Sequence, residues 1–162
     1  MLIRPATDAD LDTILEIHNH AIRELLSIWT DVEADRADRE RWLAAHQADG
    51  HPVIVAEKDG EVVGYAAYGP WREKLGYRFT VENSVYVAQG HQRQGIARLL
   101  MVELIALARA AGIHVMIAAI EAGNTPSIAL HEQLGFEPPV ILREVGIKFD
   151  RWLDLAFMRL EL

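Results

Sequence analysis

Residues 91–100 read HQRQGIARLL, and the rest of the chain can be laid out around them. The 162-residue sequence has a formal net charge of −8, yet no Asp or Glu occurs from Val85 to Val102, where His91, Arg93 and Arg98 stand. Upstream, YRFTVENSVYVA alternates like a strand. Downstream, GIARLLMVELIALARAAG reads as a long helix closed by Gly112. A helix start carries unpaired N–H groups and about half a positive charge. Fed from a strand through a glycine-bearing loop, it can hold phosphate. Gly95 lets the backbone approach a ligand, Ala97 keeps the surface open, and carboxylates there would repel a pyrophosphate. The local pattern fits equally well a solvated loop ahead of an ordinary amphipathic helix. It lacks the Gly-Lys-Ser/Thr ending of a Walker A loop and the glycine pattern of a dinucleotide-binding βαβ unit.

Working outward, LIRPA is a short strand ending at Pro5, and TDADLDTILEIHNHAIREL is a helix capped by Thr7 or Asp8. Its Leu11, Ile14, Leu15, Ile17, Ala21, Ile22 and Leu25 follow helical spacing. RADRERWLAAHQ is a second amphipathic helix. PVIVAEKDGEVVGYAAYG is a hairpin turning at Asp59-Gly60. IHVMIAAIEA is an apolar run expected as a strand buried on both faces. NTPSIALHEQLGF is a short helix with Thr125 as cap, Pro126 at its first position and Gly135 at its end. The remainder reads as two strands around Gly146–Arg151. The order β-α-α-β-β-β-α-β-α-β-β predicts a mixed α/β fold, and without repeats or a linker residues 1–162 are expected to form one domain.

Composition narrows the classes. The chain is 51% hydrophobic and 25% charged, as expected of a globular domain. Its acidity argues against general binding to nucleic acid or anionic membrane. The absence of cysteine excludes disulfides, thiolate metal ligands and a catalytic thiol. Residues 1–25 show no signal-peptide pattern and no apolar stretch is long enough to span a bilayer, so the cytoplasm is the expected compartment. The histidines of HNH at 18–20 stand at i and i+2 on a helix, where they do not face each other, and nothing suggests a metal.

HQRQGIA resembles the Gln/Arg-x-x-Gly-x-Gly/Ala motif of the GCN5-related N-acetyltransferases (GNAT), with Gln92, Gly95 and Ala97 in the motif positions. The element order agrees over nearly the whole chain. TVENSVYV, HQRQGIARLL, NTPSIALHEQLGF and VGIKFDRWLDLAFM resemble the phosphinothricin and methionine sulfoximine acetyltransferase branch. The resemblance implies a mostly antiparallel sheet with one splayed parallel pair, flanked by helices. It implies acetyl-CoA as cosubstrate, a small amine or amino-acid acceptor and a homodimer. Acetyl-CoA would lie between NSVYVA and VMIAAI. The backbone of Val85, Tyr86 and Val87 would pair with the pantetheine arm. The amides of Gln92, Arg93, Gln94, Gly95, Ile96, Ala97 and Arg98 would cradle the pyrophosphate, and Asn124 and Ser127 would meet the pantetheine. Asn124 before Thr-Pro can also simply start a turn.

In this branch a glutamate at the position of Glu82 lies near the acceptor amine. An α-amino group has a pKa of about 8, so a base that takes its proton is the chemistry required. The competing reading pairs Glu82 with Arg78 at i and i+4 of one strand face. His131 stands where many family members have a tyrosine that protonates the leaving thiolate; it either donates a proton or only positions the cofactor. Arg72 and Arg78, in the loop GPWREKLGYR, could bind a substrate carboxylate or simply face solvent. Trp29 falls where the branch contacts substrate, although Leu25 and Leu26 are less polar than usual there. The leading expectation is an enzyme that acetylates the amine of an amino-acid-like compound. The alternatives are a protein N-terminus or a polyamine as acceptor, or a CoA-binding sensor without turnover.

Overall fold

The computed structural model describes residues 1–162. Seven strands form one sheet, in the order β1 (Leu2–Pro5), β2 (Val53–Lys58), β3 (Glu61–Pro70), β4 (Thr80–Val87), β5 (Val115–Glu121), β7 (Arg151–Glu161), β6 (Val140–Lys148). Four α-helices accompany it: α1 (Leu11–Glu24), α2 (Arg36–Ala48), α3 (Ile96–Ala110) and α4 (Thr125–Gln133). All strand pairs are antiparallel except β4 with β5. This is the expected mixed α/β architecture with a splayed parallel pair.

Local chemistry explains the element boundaries. Thr7 and Asp10 form a reciprocal capping box ahead of α1. Asp59 and Gly60 both take positive φ, 54° and 86°, as a type I′ hairpin between β2 and β3 requires. Two boundaries differ from the sequence reading. The cap of α4 is Asn124, whose side chain accepts from the Ser127 amide, so Thr125 is already helical. The final hairpin turns at Phe149 and Asp150, with φ of 51° and 55°, so Gly146 lies inside β6. An Asp side chain tolerates the left-handed region that this turn requires.

The sheet is packed on both faces. Leu100, Met101 and Leu104 of α3 are fully buried against Met116 and Met158. Leu11, Ile14 and Ile17 of α1 and Leu43 of α2 pack on Val55 and Tyr65 from the other side. Truncating such a residue to Ala costs about 2–5 kcal/mol. This fixes β4, whose successive side chains point to opposite layers: Val81, Asn83 and Val85 toward α3, Glu82 and Tyr86 toward α1 and α2.

Candidate active site

The parallel pairing of β4 with β5 covers only three pairs, Thr80↔Val115, Val81↔Met116 and Glu82↔Ile117. Beyond Glu82 the two strands diverge, which leaves the facing backbone edges of Asn83–Val87 and Ala118–Glu121 without ladder partners. A cavity of about 760 Å³ opens along this wedge, and a smaller one of about 150 Å³ occupies its apex. The two share Ser27, Val85, Tyr86, Glu121, Asn124 and Ser127 in their walls, so they form one continuous cleft.

One end of the cleft is the start of α3. Gly95 is its N-cap, with φ of 78°, and Arg93 also takes positive φ. Leu99 N–H donates to Gly95, whereas the amides of Gln92 through Arg98 donate to no protein acceptor. The first turn contains no acidic residue. Gln92 and Gln94 are spent on the loop itself: Gln92 Oε1 accepts from the Gly90 amide, and Gln94 bonds the Gly90 carbonyl and Lys58. The Ile96 side chain is buried in the core, so only its amide is available. Tyr86 likewise contributes backbone, because its ring stacks beside Tyr65 on the α1 side. Unpaired strand edges suit a peptide-like arm and a row of free amides at a helix start suits a pyrophosphate, so these residues fit acetyl-CoA.

Glu82 stands at the apex, half-buried, as the last residue of the parallel pairing. Burial raises its pKa, and the positive charge of Arg72 pulls it partly back. The competing pair with Arg78 does not form. Arg78 ends a short 3₁₀ turn before β4 begins, donates to the Leu75 carbonyl and stacks on Phe79. Arg72 is exposed and stacks on Trp71. Trp29 does not line the cleft; its indole N–H donates to the Leu26 carbonyl and its ring covers Gly146 of β6.

His131 is almost fully buried, 3.1 Å from Asn83 and edge-on to Phe136. Its Nδ1 lies 2.8 Å from the Ser127 carbonyl, which can only accept, so Nδ1 carries the hydrogen. In the neutral ring Nε2 is then an acceptor, filled by the Asn83 amide. Burial pushes the imidazole pKa down, against the pull of the Ser127 carbonyl.

Asn83 and Ser27 went unmarked in the sequence, whereas Leu25 and Leu26 stood in the stretch that the resemblance placed near substrate. Asn83 is the polar interruption on the inward side of β4, between Val81 and Val85, and that alternation could have exposed it. Leu25, Leu26 and Ser27 reach the cleft by tertiary placement alone.

The family model described as acetyltransferase (GNAT) family matches residues 14–136. The L-methionine sulfoximine/L-methionine sulfone acetyltransferase of Salmonella typhimurium is 49% identical over 100% of this chain and 95% of its own length. A ribosomal-protein-alanine N-acetyltransferase from Brucella melitensis superposes with a TM-score of 0.99 at 51% identity, covering 100% of both chains. An acetyltransferase from Salmonella typhimurium, solved with acetyl-CoA, gives 0.98 at 49% identity, covering 100% of this chain and 94% of that one.

Proposed function

The chain belongs to the GNAT acetyltransferase family, and from that membership we propose that it acetylates the amine of a small amino-acid-like substrate of the phosphinothricin, methionine sulfoximine or methionine sulfone type. It is an acetyl-CoA-dependent N-acetyltransferase. The observation that carries the substrate reading is Glu82: a half-buried carboxylate at the closed end of the cleft, with the charge of Arg72 acting on it.

Acetyl-CoA, when bound, supplies a thioester carbonyl as the electrophile. The amides from Gln92 to Arg98 hold the pyrophosphate, assisted by the charges of Arg93 and Arg98. The β4 edge at Val85 and Val87 pairs with the pantetheine arm. Asn124 uses its oxygen to cap α4, which leaves its Nδ2 to donate to that arm, beside Ser127. Glu82, directly or through one water, accepts a proton from the substrate ammonium, and the freed lone pair attacks the thioester carbon. The C–S bond then breaks and the thiolate leaves, which its pKa of about 8.5 allows without a strong acid, and the remaining extra proton of the acylated nitrogen passes to the released sulfur, directly or through water, giving the amide and the free thiol. His131, holding Asn83 as an acceptor, acts by positioning. Arg72 meets the substrate carboxylate, with Arg78 farther out, and Trp29 supports the wall from behind rather than touching substrate.

A second reading, acetylation of a protein N-terminal alanine, is favoured by the name of the Brucella relative. Release of free thiol from acetyl-CoA over a panel of amines separates the two. Methionine sulfone, methionine sulfoximine and phosphinothricin should turn over, and Ala-initiated peptides and polyamines should not. Turnover of the peptides alone would replace the small-molecule reading, and thiol release with no acceptor at all would indicate neither.

The acting form is a homodimer in the cytoplasm. Edge strand β6 exposes Val140, Ile141, Leu142, Val145 and Ile147, with Trp152 beside them on β7. So apolar an edge calls for a cover, and a second copy is the occupant proposed. Light scattering should give about twice 18.2 kDa. A monomer at micromolar concentration would refute the dimer.

A further inference from the structure

Lys148, the last residue of β6, is buried to 3% exposure, and no carboxylate pairs with it. Its Nζ lies 3.3 Å from the Ala21 carbonyl, 2.5 Å from that of Leu25 and 2.6 Å from that of Ile28. An ammonium has three hydrogens to donate, and here each has a carbonyl. The carbonyls belong to the last turn of α1 and the segment after it, where the helix dipole is negative, so the charge is compensated by oriented backbone rather than by an ion pair. A buried ammonium with no carboxylate in contact, favoured only by the more distant charge of Asp31, is a costly way to tie down a loop unless the position of that loop matters.

The tied segment is a wall of the cleft. Leu25, Leu26 and Ser27 line the large cavity, and Ser27 also lines the apex where Glu82 stands. A second contact fastens the same two parts. A Cβ on Gly146, two residues before Lys148, would overlap the Trp29 ring, so β6 and the segment meet with no room for a side chain. Two tethers therefore run from the β6–β7 hairpin to residues 25–29, and neither touches the α3 amides.

We infer that Lys148 is a positioning residue for the acceptor: it fixes the segment 25–29 as the wall against which the substrate amine is presented to Glu82. The inference rests on the amino-acid acetyltransferase reading above. It is therefore measured with whichever amine wild type turns over fastest, so a failed substrate reading shows first in the wild-type panel. Lys148→Met removes the donors and keeps the length. It should raise KM for the acceptor by about tenfold or more, while KM for acetyl-CoA stays within about twofold. Lys148→Arg, which keeps charge and donors, should recover part of that loss. A merely structural lysine would lower the melting temperature and leave both KM values where they were, or raise both together; either result overturns the inference. If Lys148→Met fails to fold, Gly146→Ala decides. It should show the same one-sided rise in acceptor KM, eased when Trp29→Leu is added to make room for the new methyl group. Unchanged acceptor KM in Gly146→Ala, or a rise that the second substitution leaves untouched, overturns the inference as well.

Discussion

The loop at 90–98 and the segment at 25–34, whose first three residues reach the wall, meet at the same cleft but are held by different means. The loop is held mainly by its own residues: Gly90 bonds the side chains of both Gln92 and Gln94, with only Lys58 reaching in from β2, and Gly95 and Arg93 take left-handed conformations. The segment is held by residues far away in the chain. Asn19 bonds both the amide and the carbonyl of Ala34, Lys148 reaches the carbonyls of Leu25 and Ile28, and β6 abuts Trp29. A pyrophosphate is the same in every CoA ester, so a site made of backbone can be built once and locally. An acceptor differs from enzyme to enzyme, and a wall assembled from distant side chains can be altered without disturbing the cofactor end.

The largest effect that would break this contrast belongs to the loop. Gly95→Glu places a carboxylate and a strained φ of 78° at the helix start, so acetyl-CoA affinity should fall about 100-fold or more while the fold survives. Gly95→Ala meets open space and carries only the strain, so it should lose far less. Calorimetric titration with acetyl-CoA reads both; near wild-type affinity in the glutamate variant would remove the loop from the site.

Next comes the base. Glu82→Gln should lower kcat by about 100-fold with acetyl-CoA affinity unchanged, and activity should partly return at high pH, where the amine deprotonates unaided. The raised pKa of Glu82 also fixes a sign for stability. The folded state holds that proton more tightly than the unfolded one, so the contribution is full below the ordinary value of 4.5 and is lost as pH rises through the folded value. Glu82→Gln escapes that loss, and its melting temperature should gain on wild type across the same window. Profiles of kcat/KM with the same height and shape in both proteins would exclude Glu82 as base.

A smaller effect separates the two arginines. Arg72→Ala should raise KM for a carboxylate-bearing substrate by an amount corresponding to about 1.5–3 kcal/mol, the worth of a charged hydrogen bond. It should also move the acidic limb of the pH profile upward, because Arg72 holds Glu82 down. Arg78→Ala, turned toward Leu75, should do less of both. Equal effects from the two would place Arg78 inside the acceptor end. The smallest change is expected of His131→Gln, which keeps an acceptor for Asn83. Less than about tenfold in kcat and an unaltered alkaline limb fit positioning. A loss of about 100-fold or more, with that limb abolished, would make His131 an acid.

Much of this was legible in the sequence because it is local. The hairpin at Asp59-Gly60, the closing Gly112 and Gly135 and the carboxylate-free helix start each depend on neighbours within a few positions. So did the element order, since each helix carries its own apolar stripe. Misreadings arose where two residues compete for one task. Asn124 and Thr125 can both cap a helix, and the range Gly146–Arg151 left open where the last turn falls, which is at Phe149-Asp150. The alternative pairing of Arg78 with Glu82 rested on strand arithmetic, and it fails because the strand starts at Thr80. Lys148 could not be recognised as a clamp, since the carbonyls it binds lie more than 100 residues away.

Three residue pairs between β4 and β5, with the Phe79 carbonyl accepting from His114 and Val115 beside them, are the backbone join of β1–β4 to β5, β7 and β6 across the sheet. Mechanically, the protein is two plates riveted at one corner, with α3 and its neighbours as the backing. A ligand that fills the wedge completes the rivet line, and so becomes part of what keeps the plates together. Acetyl-CoA at 100 times its dissociation constant would add about 2.7 kcal/mol to the folded state. Those amides of Ala118–Glu121 that point into the open seam rather than toward β7 should then be slowed most of all in hydrogen exchange.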